Sequence, residues 1–204
     1  VFACYAASKM GMPLSKIIVA VNSNDILDRF FKNNDYSKMD VTETISPSMD
    51  ISVASNFERL LYDFYLNRNS KKCSDHYTHF PNKGIKIDEK MWKKSSELFL
   101  SYSINDDSTY ECMKHFSENF NYIMDPHTAV AAKAVIKLNN TLSNKTVILS
   151  TAHPAKFPIA LENAEINLDN MPKNLEKVLN MKEVEYKLNA SEDSIFDFIK
   201  EKNK

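Results

Sequence analysis

The chain has 204 residues, 43% of them hydrophobic, enough for one sizeable core or a domain with an appended subdomain and too apolar for a disordered tail. Its 26 basic and 27 acidic residues leave a formal charge of −1, spread so evenly that no single-sign field marks it for nucleic acid or a membrane surface. No apolar run approaches the roughly 20 residues that span a bilayer, and the opening VFACYAASKM lacks a secretory pattern, so the expectation is a soluble, cytoplasmic protein. Cys4, Cys73 and Cys112 are odd in number, with no C-x-x-C pair, and read as reduced packing residues. Glycine occurs only at Gly11 and Gly84, against roughly 14 at ordinary usage. Loops that need glycine to approach a phosphate therefore do not lie in this sequence, and asparagine is left to serve some turns.

In chain order, residues 2–10 space Phe2, Tyr5, Ala6 and Met10 as a helix that Gly11 would cap. Residues 16–21 (KIIVAV) predict a buried parallel strand, and 25–32 (DILDRFFK) a helix. Capping boxes at Ser55 to Glu58 and Ser108 to Glu111 open two amphipathic helices, with a third helical pattern at 88–100 between them. Asp125 as N-cap and Pro126 at the first position start a helix that leads to a second predicted buried strand, 146–150 (TVILS). Two further helices fit around 170–180 and 191–202. The reading is α/β, with 1–54 as part of an α/β domain, 55–123 as a helical insertion or subdomain, and 124–204 as a return to the α/β domain followed by C-terminal helices.

Three well-separated segments carry a resemblance. They are 19–31 (VAVNSNDILDRFF), 46–61 (SPSMDISVASNFERLL), and the pair DPHTAV at 125–130 with STAHPAKFP at 150–158. In order and spacing they resemble the threonine synthase family, over most of residues 1–160. The resemblance implies the type II pyridoxal-phosphate fold, shared with the tryptophan synthase β subunit, and conversion of O-phospho-L-homoserine and water to L-threonine and phosphate. It implies too that the Schiff-base lysine, in an S-F-K motif, and a glycine-rich G-N-F-G phosphate loop lie upstream of this sequence, so the chain alone is expected to be inactive. Residues 1–10 would then aim a helix dipole at the cofactor phosphate. Another type II lyase of the dehydratase or cysteine synthase kind, or a non-catalytic binding relative, are the alternatives.

By the same resemblance Thr151 faces the pyridine nitrogen of pyridoxal phosphate, where a neutral hydroxyl makes the ring a milder electron sink than an Asp would. Taken alone, Thr151 also suits capping of its own backbone. Asn22, Asn24 and Asp25 follow KIIVAV and can enter the crevice at a strand's carboxyl end as substrate-binding residues, or cap the next helix. Arg29 suits a substrate phosphate or carboxylate, or an internal ion pair. His153 and Lys156 are candidates for proton transfer or anion binding, with a buried, backbone-bonded His153 as the other reading. His127 and Thr128 sit in a helix's first turn, where the dipole disfavours a charged imidazole, and read as packing or loop-orienting residues. Cys73, His76 and His79, with Cys112 and His115, match no standard zinc spacing, and no metal is assigned.

Overall fold

A computed structural model describes residues 1–138, 145–168 and 171–203, which fall into two units, Val1–Leu168 and Asp169–Lys204. The first unit opens with α1 (Phe2–Lys9), which ends as Gly11 takes φ +98°. A Cβ there would meet nothing within 4 Å, so backbone conformation, not crowding, is what suits glycine to the position.

Strands β1 (Ile17–Val21) and β2 (Phe99–Ser103) pair in parallel, in register from Ile17↔Phe99 to Val21↔Ser103. Side chains alternate across a strand, so β1 serves two cores. Ile17 and Val19 join Phe30, Phe57 and Phe99 on one face, while Ile18 and Ala20 pack with Ile104, Val130 and Ala134 on the other. Phe30 belongs to α2 (Ile26–Asn33), and Val130 and Ala134 to a later helix that contacts β1 (Pro126–Lys137). Helices on both faces explain why KIIVAV is apolar throughout, and the architecture is the expected α/β layer.

Parallel strands need a long crossover, and here it carries α3 (Phe57–Leu60), a wider π turn (Leu61–Tyr65), α4 (Ser70–Lys83) and α5 (Glu89–Ser95). An aromatic cluster anchors it: Tyr36 stacks on Phe57 at 4.4 Å, and Phe30 meets Phe57 at 4.6 Å and Tyr65 at 5.2 Å in edge-on geometry. Such pairs add about 0.5–1.5 kcal/mol beyond burial of their area. After β2 come α6 (Asp106–Phe120), α7 (Pro126–Lys137) and α8 (Pro158–Asn163), whose Met113, Ala129, Ala132 and Leu161 share a second core. The other unit holds α9 (Lys173–Leu179) and α10 (Glu192–Lys202), with Tyr186 against Phe198 at 4.9 Å.

Several expectations change. The helix read over 88–100 stops at Ser95, and its last residues start β2, because Phe99 enters the aromatic core while Ser101 pairs with Val19. The segment around Cys73, for which the sequence predicts no element, is α4, whose face buries Cys73 and Phe80. Neither capping box operates: α3 has no side-chain cap, and α6 is capped one turn earlier by Asn105, which accepts from the Ser108 amide at 3.1 Å. The segment 146–150 has no regular structure, with Val147 84% and Leu149 63% exposed. A parallel strand is held by ladder bonds to a neighbour, and among the described residues β1 and β2 pair only with each other.

Candidate functional site

The chain leaves β1 at Asn22, which is fully buried. A buried amide must find partners, and Asn22 finds them in the loop at 42–50. Its Nδ2 lies 2.7 Å from Thr44 Oγ1, 2.7 Å from Asp50 Oδ1 and 3.0 Å from Ser46 Oγ, and its Oδ1 accepts from the Asn24 amide at 2.9 Å. Asn24 donates to the Thr42 carbonyl at 2.8 Å and to Asp50 Oδ1 at 3.0 Å, and accepts from the Thr42 amide at 2.8 Å. Asp50 also accepts from the Thr44 hydroxyl at 2.7 Å and amide at 2.9 Å. The turn after β1 and the SPSMDI segment thus form one polar knot.

A second link reaches the same loop from α7. Asp125 caps that helix, its Oδ1 accepting from the His127 amide at 3.0 Å and from His127 Nδ1 at 2.9 Å, while its Oδ2 takes the Thr128 hydroxyl. Burial alone would raise this carboxyl, but the hydrogen bonds from His127 and Thr128 outweigh it and hold the pKa below the usual carboxylate range. His127 Nε2 accepts from the Ser48 amide at 3.2 Å, and its ring lies 4.8 Å from that of Phe157. The three segments singled out in the sequence therefore meet at Asn22, Ser46 to Asp50, His127 and Phe157.

Asp25 and Arg29 turn inward to the protein. Arg29 donates from Nε to Asp25 at 2.9 Å, from Nη1 to Asp35 at 2.7 Å and Ser37 Oγ at 2.9 Å, and from Nη2 to the Ser37 carbonyl at 2.7 Å. Burial opposes its charge, and the bonds to Asp25 and Asp35 more than offset this, raising its pKa. Asp25 stands at the N-cap position of α2, without a side-chain capping bond.

Thr151, His153 and Lys156 are all exposed. Thr151 has no hydrogen-bond partner among the described residues. His153 Nδ1 accepts from the Ala155 amide at 3.2 Å, opening the short turn Pro154–Lys156, and Lys156 Nζ sits 5.9 Å from the Phe157 ring centroid. With Nδ1 accepting, a neutral His153 carries its proton on Nε2 and presents a donor.

Sequence reading left Thr44, Ser46, Ser48 and Asp50 without roles. The cap signature D-P-H-T pointed at His127, but only as a residue of packing or loop orientation. Cys73 and Cys112 are buried free thiols, that of Cys112 pushed up to about 11 by burial. Among the described residues no group of three or more His, Cys, Asp or Glu side chains could hold a metal ion, and no helix is long and apolar enough to cross a membrane.

A parallel strand covered by helices on both faces, with polar side chains gathered at its carboxyl end, defines an α/β domain. The family described as threonine synthase, C-terminal, matches residues 128–199. Threonine synthase of Pseudomonas aeruginosa is 41% identical over 81% of this chain and 35% of its own length; that of Saccharomyces cerevisiae is 36% identical over 89% and 40%. Among solved structures, yeast threonine synthase superposes with a TM-score of 0.83 at 32% identity, over 99% of this chain and 45% of its own. The pyridoxal-phosphate-bound threonine synthase of Brucella melitensis superposes with a TM-score of 0.79 at 33% identity, over 89% and 39%. The chain belongs to the threonine synthase family. It spans roughly two fifths of the length of these relatives.

Proposed function

We propose that this chain forms one wall of the active site of a threonine synthase, in which O-phospho-L-homoserine and water become L-threonine and phosphate with pyridoxal 5'-phosphate as cofactor. The observation that supports this most strongly is the meeting of the three family segments in one polar site at the end of β1. The reading carries a place in amino-acid biosynthesis and a cytosolic location, to which the three free cysteines are suited.

The side chains available suit the cofactor in part. Thr151 offers an exposed neutral hydroxyl with no partner among the described residues, as a ring nitrogen requires. Val1, the N-cap of α1, brings no side-chain acceptor to that helix's first turn, which suits a phosphate. The reactive lysine is not assigned to this chain. When bound, pyridoxal phosphate supplies an electron sink that stabilises negative charge at the substrate's α and β carbons.

The chain's own residues then divide the remaining work. With the cofactor bound, Thr151 would supply a hydrogen bond to the ring nitrogen without placing a negative charge beside it. His153 presents Nε2–H, and Lys156 its ammonium, to the oxygens of the departing phosphate; both charge-assisted bonds strengthen as the leaving group gains charge. Asn22 and Asn24 hold the 42–50 loop as a rigid rim, and Asp25 and Arg29 brace α2; the role assigned to these four is positioning, distinct from the direct substrate contact read in the sequence. The test is phosphate and threonine formation from O-phospho-L-homoserine by the product of the complete gene. Absence of both products overturns the reading. The chain of residues 1–204 by itself should give no turnover, and measurable turnover would return the reactive lysine to this sequence.

A further inference from the structure

We propose that His127 is a positioning residue that keeps the 46–50 turn and the 151–157 segment in register, and that it does so only as the Nδ1–H tautomer enforced by Asp125. This rests on the threonine synthase reading for its purpose, though the relay can be tested without it. Asp125 is 1% exposed, and its carboxylate faces four donors: the His127 and Thr128 amides, the Thr128 hydroxyl and His127 Nδ1. An ionised carboxylate only accepts, so Nδ1 must carry the proton and Nε2 must keep its lone pair. That lone pair is what the Ser48 amide needs, at 3.2 Å.

From Ser48 the connection runs both ways along the loop. Ser46 and Asp50 on either side accept from Asn22, which fixes the loop to the end of β1. On the other side the imidazole packs on Phe157 at 4.8 Å, and Phe157 directly follows the turn Pro154–Lys156 that displays His153 and Lys156. His127 is thus shared by the knot at β1 and the segment that bears the exposed polar groups. Moving the proton to Nε2 would set N–H against N–H at Ser48 and release the loop from α7 without any change in side-chain volume.

The distinguishing variant is Asp125→Ser. Serine remains a competent N-cap, but its shorter side chain withdraws the carboxylate acceptor from Nδ1 and frees the proton to move to Nε2, the position a neutral imidazole otherwise favours. Nitrogen-15 spectra of the complete gene product should show Nδ1–H in the parent and Nε2–H in the variant. Hydrogen exchange at the Ser48 amide should rise at least tenfold in Asp125→Ser. His127→Asn keeps a donor toward Asp125 and loses the acceptor for Ser48, whereas His127→Gln can place an oxygen near the Nε2 position. Exchange at Ser48 should therefore rise in the first and be largely restored in the second. In phosphohomoserine turnover, kcat/KM should fall about 10- to 100-fold in Asp125→Ser and in His127→Asn, with His127→Gln recovering most of the loss; a tenfold change corresponds to about 1.4 kcal/mol.

An Nε2–H imidazole in the parent protein, or Ser48 exchange unaffected by Asp125→Ser, overturns the relay. A relay that responds as described while kcat/KM stays within twofold overturns the positioning role and leaves the threonine synthase reading intact. No turnover by the parent sinks that reading, while the tautomer and exchange results still decide the relay.

Discussion

The knot at the end of β1 and the stretch from 145 to 156 are both polar or mixed in sequence, yet the structure treats them in opposite ways. In the knot, Asn22 is fully buried and bonded at both amide atoms, and Asp50 takes bonds from three side chains and an amide. In the other stretch Val147, Leu149, Thr151, His153 and Lys156 are exposed. Groups satisfied internally cost little to hold still and are poor ligands for anything else. Groups with no internal partner are the ones a small molecule can engage. On the proposed function, the knot is the frame and the open stretch the working surface.

The sharpest way to break this comparison is to remove the frame's central amide. Asn22→Leu leaves the Thr44, Ser46 and Asp50 side chains facing an apolar group, and unsatisfied buried polar groups cost about 1–3 kcal/mol each. We expect a loss of about 2–4 kcal/mol in unfolding free energy, read as a lower denaturation midpoint in urea. A loss below about 0.5 kcal/mol would show that the knot carries no stability.

Asp125→Asn should cost less, about 1–2 kcal/mol at neutral pH, because the cap survives and only the charge-assisted part of its bonds is lost. The sign of its pH dependence follows from the lowered pKa. A carboxyl whose folded pKa lies below its unfolded value of about 3.9 contributes stability that is complete above that value and lost as pH falls below it, through the folded pKa. The stability gap between parent and Asp125→Asn should thus be constant above about pH 5 and narrow below about pH 4. A gap that widens on acidification would contradict the assignment.

These two regions also differ in how far the sequence disclosed them. The helix α7 was legible because Asp125-Pro126 puts a cap and a fixed φ together, and β1 because five apolar residues in a row suit a strand covered on both faces. β2 was not legible. Its lysine- and serine-rich approach scores as helix, and only the aromatic core that receives Phe99 and the register with β1 decide otherwise. α4 was missed for a related reason: its buried stripe is just Cys73 and Phe80 in fourteen residues, too sparse to read as a period. The sequence singles out the Asn22 turn and His127 by position, the latter only as a packing or loop-orienting residue, but not their partners. A hydrogen bond between Asn22 and Asp50, or between Ser48 and His127, depends on tertiary closure that no local pattern encodes.

The segment 146–150 sets the limit of pattern reading most clearly. An apolar run signals that burial would be favourable, and says nothing of whether a neighbour is present to provide it. Val147 and Leu149 meet solvent here, and no strand among the described residues pairs with this segment.

The smallest expected effect is the most discriminating one. Thr151→Val removes a hydroxyl that has no hydrogen-bond partner among the described residues and exchanges it for a methyl of similar size. Exposed substitutions of this kind change stability by no more than about 0.5 kcal/mol, so urea midpoints of parent and variant should coincide. In the product of the complete gene the same change should weaken retention of pyridoxal phosphate and lower turnover about tenfold or more, the loss of roughly one hydrogen bond to the cofactor ring. Unchanged cofactor affinity and turnover would remove Thr151 from the site. A large stability loss would instead place its hydroxyl in the frame, and the division between bonded knot and open surface would then end before residue 151.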